Sequence, residues 1–580
     1  MPHPCSNASP ARSDVTHRYR WIALSNTTLA IFMSALDGSI VIIALPAIFR
    51  GIHMDPLASG TFGYLLWMIM GYLLVQAVFV VTLGRLGDMM GRVKIYNLGF
   101  VVFTFASLLL SFDPFSGERG ALWLIGWRLL QALGGSMLTA NSAAILTDAF
   151  PSNQRGFALG INQIAGLAGQ FLGLVAGGIL AILDWRAVFW VNVPVGIFGT
   201  LWAFRSLREM GHHRSGRIDW WGNVTFALGL GALLVAVTFG IHPYGGRAMG
   251  WTNPATLLTL IGGVALLVVL VPIERRAAEP MLDLQLLRIR GFAAGIFAVL
   301  AAAIARGGLQ FMLVIWLQGI WLPLHGFPYA RTPLWAGIFL LPFSCGFMVA
   351  GPLSGYLSDR FGARRFSTAG LLVFAASLVG LAMLPVDFAY WAFALCIAGT
   401  GVGTGMFAAP NTAAIMSSVP APQRGVASGM RSTLQNAGNL LSIGLSFSLM
   451  IVVLSHALPP EMIAGLVHEG VSQTIARQVA ALPAVSSLFA AFLGMNPLEQ
   501  LLRPTGALAS LSAIQRATLT GTHFFPNLIA APFHRGLIAV FAAGTALSLL
   551  AAAASFLRGP RTAATMPAEG TFLTSPGTLQ

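Results

Sequence analysis

Charge is what this sequence has least of. Asp, Glu, Lys and Arg make up 9% of its 580 residues, against about 25% in soluble domains. A water-soluble protein of this length would be left without a surface. Lysine is almost missing, Lys94 being the only one. No Gly-x-x-x-x-Gly-Lys-Ser/Thr loop exists to cradle a nucleotide phosphate, which excludes an ATP-driven pump built from this chain alone. The three cysteines (Cys5, Cys345 and Cys396) are far apart and form neither a Cys-x-x-Cys pair nor a disulfide framework. No HExxH pair or nucleophile elbow occurs, so the chain reads as a non-enzyme. Residues 1–20 hold Arg12, Arg18 and Arg20 and no short apolar core with a cleavage site. The first apolar run is therefore expected to remain as a span.

What the chain does have is apolar length. Hydrophobic residues make up 56%, and fourteen stretches reach the roughly 17–25 residues that cross a bilayer as helices. They lie near 22–48, 62–83, 95–112, 121–146, 157–183, 187–207, 220–240, 255–273, 292–318, 333–354, 367–385, 389–416, 430–454 and 536–557. The net charge of +14 is scattered over short loops and is not gathered on a polar domain. It therefore speaks for membrane orientation and not for a nucleic-acid partner. With the N-terminus inside, 22 of the 33 Lys and Arg fall on the cytoplasmic side and nine in outer loops, four of these in one long loop that the rule discounts. This bias predicts both termini in the cytoplasm of a multi-pass inner or plasma membrane protein.

The chain is organised around residues 84–94, GRLGDMMGRVK, a basic glycine-rich turn between two apolar runs. The layout returns as GYLSDRFGARR at 355–365: Gly84, Asp88 and Gly91 map onto Gly355, Asp359 and Gly362 at an offset of 271. PSNQRG at 151–156 returns as PAPQRG at 420–425, and NSAAI at 141–145 as NTAAI at 411–415. Two related halves are implied, as in many secondary transporters. The Gly-x-Leu-x-Asp-x-x-Gly-Arg turn resembles the signature of the major facilitator superfamily between its second and third spans. LDGSIVIIALP at 36–46, WRAVFWVNVPVG at 185–196 and a surplus pair of spans at 220–273 resemble the fourteen-span drug:proton antiporter branch, the EmrB/QacA-like group.

The resemblance implies an all-α membrane protein of two six-helix bundles plus two extra helices. The expected division is a cytoplasmic tail at 1–20, an N-terminal bundle at 21–208, the extra helices with their linkers at 209–290, a C-terminal bundle at 291–558 and a cytoplasmic tail at 559–580. The long outer loop at 455–535 matches no motif. Ile463, Val467, Val471, Ile475 and Val479 recur every four residues and predict one apolar helix face. The expectation is short helices over 460–502 lying on the outer surface, with a lid or a docking surface for a periplasmic adaptor as the sharper alternative.

Charged residues within spans are costly and mark function by default. Asp37, Arg128 and Arg306 stand out, and at about 1.5 Å per residue all three fall in one layer a little outside the midplane. Asp37 and Arg306 lie 269 apart, equivalent positions in the first helix of each half. The resemblance implies that both helices line a central cavity, so the two are expected to pair across it. Arg128, in RLLQALGGS, resembles the family's span-four motif and is the rival partner. Gln131 and Gln310 join these as cavity candidates. Asp37 is the candidate for proton coupling. Gly84, Asp88, Gly91, Arg92, Gly355, Asp359, Arg360 and Gly362 are read as gating turns. One departure stands at 173–178, GLVAGG, where Leu174 occupies the proline of the family's span-five antiporter motif.

The sequence therefore predicts a secondary transporter, with proton-coupled efflux of amphipathic small molecules as the first reading. Export of a specific lipid, siderophore or metabolite is the second, and a non-transporting sensor or scaffold on the same fold is the third. The expected partners are membrane lipid, protons and a small-molecule substrate, with no cofactor, metal or nucleic acid.

Overall fold

The computed structural model describes residues 10–558 apart from Ser59, 152–153, 211–217, Ala248 and 421–422, and among these not the side chains of 10–17, Gly156 and Asp359. The expected tail at 559–580 lies outside them. Fourteen of the described helices are long and apolar enough to cross a membrane. They are α1 (Pro10–Gly51), α2 (Thr61–Met90), α3 (Arg92–Ser111), α4 (Gly117–Ala149), α5 (Arg155–Leu183), α6 (Ala187–Ser206), α7 (Trp220–Ile241), α8 (Pro254–Arg276), α9 (Arg290–Leu324), α10 (Tyr329–Ser358), α11 (Ala363–Met383), α12 (Tyr390–Ser417), α13 (Arg424–His468) and, after a run of short helices that opens with α14 (Gln473–Ala480) and α15 (Ala484–Leu493), α16 (Phe524–Phe556). Helices α1–α6 pack as one bundle and α9–α13 with α16 as the other.

The surplus pair sits outside both bundles. α7 packs on α2 and α13 where the halves meet, and α8 packs chiefly on α7. Thr82 of α2 donates to the Asn223 amide oxygen of α7. α8 turns Leu258, Ile261 and Val268 outward, as expected of a helix whose far side meets lipid tails.

The long loop departs from its expectation. α13 does not stop near 454 but runs through Pro459 and Pro460 to His468, and α16 begins at Phe524 rather than near 536. The predicted single face of Ile463, Val467, Val471, Ile475 and Val479 is split at Gly470, whose φ of +88° ends one helix before the next begins. Four-residue spacing continues across such a break, so periodicity alone could not reveal it. α14 and α15 meet at 84°. α15 does not lie on the surface: every residue from Ala484 to Leu493 is buried.

α15 is a plug between the bundles at the face opposite the glycine turns, here the distal face. Phe489 meets Phe49 of α1 and Phe62 of α2 edge-on, with ring centroids 5.5 and 5.8 Å apart, while Phe492 meets Phe311 of α9 at 5.8 Å. Phe447 of α13 bridges Phe62 and Phe311. α9 carries a π-helical turn, Leu317–Trp321, against the plug. A methyl on Gly319 would stand 2.6 Å from the Ala491 carbonyl, so only glycine lets the two backbones approach. Gln318 in the same turn donates to the Ile43 carbonyl of the other bundle at 3.1 Å. Residues 484–493 are accordingly expected to resist protease in the native protein, with nicking confined to exposed stretches such as 503–506. Rapid cleavage within 484–493 would contradict the packing.

Candidate functional site

Asp37 lies on α1 with no exposed surface. A carboxylate at this depth needs its charge balanced and its lone pairs filled. Both occur within the N-terminal bundle. Arg128 of α4 donates to Asp37 Oδ2 at 2.6 Å, while Gln131 Nε2 and Asn192 Nδ2 donate to Oδ1 at 3.0 and 2.8 Å. Arg128 and Gln131 share one face of α4, being three residues apart, and the Arg128 guanidinium also donates to Gln131 Oε1 at 2.6 Å. Gln131 in turn donates to Ser107 of α3 at 2.8 Å. The Arg128 guanidinium carbon stands 4.3 Å from the centre of the Tyr72 ring of α2, a cation–π contact. Five helices thus converge on one ion pair.

Asn192, Tyr72 and Ser107 were not among the sequence candidates. Asn192 carried a signal, since it stands in WRAVFWVNVPVG and an asparagine in a span needs a partner. Ser107 carried none, because serine hydroxyls are common in helices and usually bond the preceding turn, and Tyr72 carried none, because an aromatic ring in an apolar span reads as packing.

Arg306 is elsewhere. It does not meet Asp37 in this conformation. With Arg431, Gln435, Asn411, Thr404 and Thr412 it lines a cavity of about 60 Å³ in the C-terminal bundle. Equivalent positions on α1 and α9 therefore face different surroundings, as repeat symmetry relates backbones and not side-chain partners. Arg431 was not among the sequence candidates; it lies just inside the expected span 430–454, yet it reaches this cavity. Gln310 is half-buried one turn beyond Arg306 and lines no described cavity. A larger cleft of about 930 Å³ opens on the distal face between Trp321, His325, Asp387 and His523, and no candidate residue lines it.

The glycine turns differ between the halves. Gly91 (φ +112°) and Gly362 (φ +91°) each join two helices through backbone that favours glycine. In the first turn Arg92 pairs with Asp88 at 2.7 Å and with Asp148 of α4 at 2.6 Å. The Glu209 carboxylate accepts from the Arg92 and Val93 amides at 3.0 Å each, capping α3 where the helix dipole favours an anion. Arg85, near Gly84, pairs with Glu279 of the linker after α8 at 2.8 Å. In the second turn Ala363 stands where Arg92 stands in the first. Arg360 lies over the Tyr356 ring, Gly355 packs near Ala409, and the Asp359 side chain is outside the described residues.

The GLVAGG stretch lies where α5 meets its neighbours. Gly173 and Gly177 face the α1 backbone at Leu36 and Ile40, whereas Gly178 faces Leu334 and Pro333 of α10, across the bundle boundary. Leu174 is buried, and its carbonyl oxygen is 2.5 Å from where a methyl on Gly337 would stand. α5 is unbroken from Arg155 to Leu183.

Residues 27–443 match the Major Facilitator Superfamily. The chain is 30% identical to the multidrug resistance protein Stp of Mycobacterium tuberculosis over 455 residues, 77% of this chain and 79% of Stp. It is 30% identical to the tetracenomycin C resistance and export protein of Streptomyces glaucescens over 432 residues, 74% of this chain and 76% of that protein. It is 28% identical to the riboflavin transporter RibZ of Clostridioides difficile, covering 74% of this chain and 88% of RibZ. Among solved structures, a bacterial homolog of the human lysosomal transporter Spinster, inward-facing and occupied, superposes with a TM-score of 0.55 at 16% identity, over 95% of this chain and 97% of the other. A D-xylose–proton symporter gives 0.54 at 14% identity, over 80% and 97%. The chain is a multi-pass transporter of the cytoplasmic membrane and belongs to the major facilitator superfamily.

Proposed function

We propose that this transporter exports amphipathic small molecules in exchange for protons, with Asp37 as the coupling carboxylate. The observation that carries the reading is the Asp37–Arg128 pair, sealed from water and satisfied by Gln131 and Asn192. While the guanidinium is in place its charge balances that of the carboxylate. When rocking of the bundles parts the two, a bare buried charge is too costly to persist and a proton binds. Protonation is thereby tied to conformation, as alternating access requires. The names of Stp and the tetracenomycin exporter support efflux. Export of a single metabolite is the second reading, favoured by the riboflavin transporter among the relatives. Proteoliposomes with an imposed pH gradient and a panel of amphiphiles separate the two readings, because the first predicts movement of several unrelated compounds. A chain that moves nothing under a gradient would instead be a sensor or scaffold.

We further propose that the glycine turns lie on the cytoplasmic side and fix the helix ends that move when access alternates. Asp88→Asn is expected to slow turnover several-fold and leave substrate binding intact, since Asp148 still holds Arg92. Arg92→Ala removes both ion pairs, which tie α2, α3 and α4 together within the N-terminal bundle, and is expected to slow turnover further and to loosen the cytoplasmic end of that bundle; half-exposed pairs are worth up to about 1 kcal/mol each. Loss of substrate affinity with the conformational balance unmoved would refute this assignment.

A further inference from the structure

Two arginines in the C-terminal bundle have no acid to answer them. Arg306 of α9 and Arg431 of α13 line one small cavity. Among the described residues Arg306 makes no hydrogen bond or ion pair. Arg431 donates only to Gln435, at 3.1 Å, and its Nε is buried without a partner. Between Arg290 and Glu461 the sequence holds two carboxylates. One is Asp359, in the turn at the far end of α10. The other, Asp387, is an exposed loop residue beside His325 on the distal face. The rest of the cavity wall offers neutral donors and acceptors, Thr404, Thr412, Asn411 and Gln435, on an apolar lining that includes Phe374 and Phe407. The Asn411 oxygen is itself taken by Arg558, a third guanidinium, two of whose nitrogens are buried and unpartnered.

Contrast the N-terminal bundle, where the charge of the deep arginine, Arg128, is balanced by Asp37 at 2.6 Å. Half-buried cations within membrane-spanning helices are retained at cost only where something balances them. Among the described residues of this bundle no carboxylate meets either arginine, so the balancing charge comes from outside. We infer that the C-terminal cavity is an anion subsite, in which Arg306 and Arg431 hold a carboxylate-class group of the transported molecule while its apolar body lies against the bundle boundary. This inference rests on the efflux reading and assigns its substrate class. A cavity of about 60 Å³ admits a carboxylate head group, since about 10–15 Å³ on this measure already holds one water. Guanidinium and carboxylate match in shape as well as charge, which favours a planar carboxylate.

The test uses three probes of one shape, naphthylacetate, naphthylethanol and naphthylethylammonium, on the purified full chain in nanodiscs. Naphthylacetate is expected to bind at least about tenfold more tightly than the ammonium. Arg306→Gln and Arg431→Gln are each expected to erase that preference, while Arg306→Lys and Arg431→Lys keep it in part. The Gln variants are also expected to melt no lower than the parent without ligand, because each removes a half-buried charge that no acid balances; a structural role predicts a lower melting temperature. Equal or tighter binding of the ammonium overturns the inference. So does an acetate preference that survives in both Gln variants. If Asp37→Asn removes the preference as fully as the arginine variants do, Asp37 is the missing counter-charge and the subsite is refuted. Transport under a pH gradient keeps the two ideas apart. Movement of the ammonium and not the acetate leaves efflux standing and sinks the subsite. Acetate preference in binding with no transport of any probe sinks efflux and leaves the subsite.

Discussion

Asp37→Asn is expected to abolish transport driven by a pH gradient while substrate exchange without a gradient persists. Asparagine keeps the shape of aspartate and one acceptor oxygen, so Gln131 and Asn192 retain a partner on α1. It cannot take up and release a proton in the working range, so the coupled cycle loses its proton carrier. Arg128 is then left with Gln131 and the Tyr72 ring, and some loss of stability follows. Arg128→Ala is the harsher change. It strands a buried carboxylate, and breaking one side of such a pair costs about 3–5 kcal/mol. Removing both charges in Asp37→Asn with Arg128→Met is expected to recover most of that loss, since a neutral, well-packed pair replaces an unpaired ion. Gradient-driven efflux, exchange and melting temperature on the three variants decide the matter. Full pH-driven transport by Asp37→Asn would overturn the mechanism. Loss of gradient-driven transport and exchange together, with lost folding, would reduce the pair to a strut.

Gly178→Val is expected to hold the distal ends of the bundles apart. A side chain at this position would start 2.7 Å from the Leu334 amide nitrogen and 2.9 Å from the Pro333 carbonyl carbon. Both are backbone atoms of α10, so no rotamer change relieves the clash. Overpacking of this kind costs about 1–3 kcal/mol. Because the contact joins the two bundles and not one bundle to itself, the cost falls on the distally closed state. On a two-state balance that is a shift of about five- to 150-fold toward distal opening. Spin-label distances between the distal ends of α5 and α10 should lengthen, and turnover should fall in step. Gly173→Val is the control, as it faces α1 within the same bundle and should lower stability instead. Unchanged α5–α10 distances in Gly178→Val would refute the assignment.

The glycine motif also shows where sequence reading reached its limit. GLVAGG was legible as close helix packing, and Leu174 was legible as a missing proline. Which neighbours the glycines touch was not. Two serve α1 and one crosses to α10, and adjacent residues on one helix gave no means of telling these apart. The plug is the larger case. Residues 485–502 were legible as apolar, but an apolar helix is equally stable against lipid, a surface groove or a bundle interior. The Phe489 and Phe492 contacts, made with residues 440 and 181 positions away, decided which.

By itself the sequence determined the class of molecule. Scarce charge, fourteen apolar runs and a turn repeated at one offset require helices in a membrane, because each is a local property: length against bilayer thickness, charge against solvation, glycine against backbone conformation. It also picked out Asp37 and Arg128, because ionisable groups are rare at that depth. Only the tertiary structure decided that Arg128 and not Arg306 is the partner of Asp37 in this conformation, that Asn192 completes the acid's bonds, and that Arg306 and Arg431 share a cavity without an acid. Those are pairings among side chains on different helices. They depend on how the helices are rotated and packed in the bundle, which no stretch of one helix encodes alone.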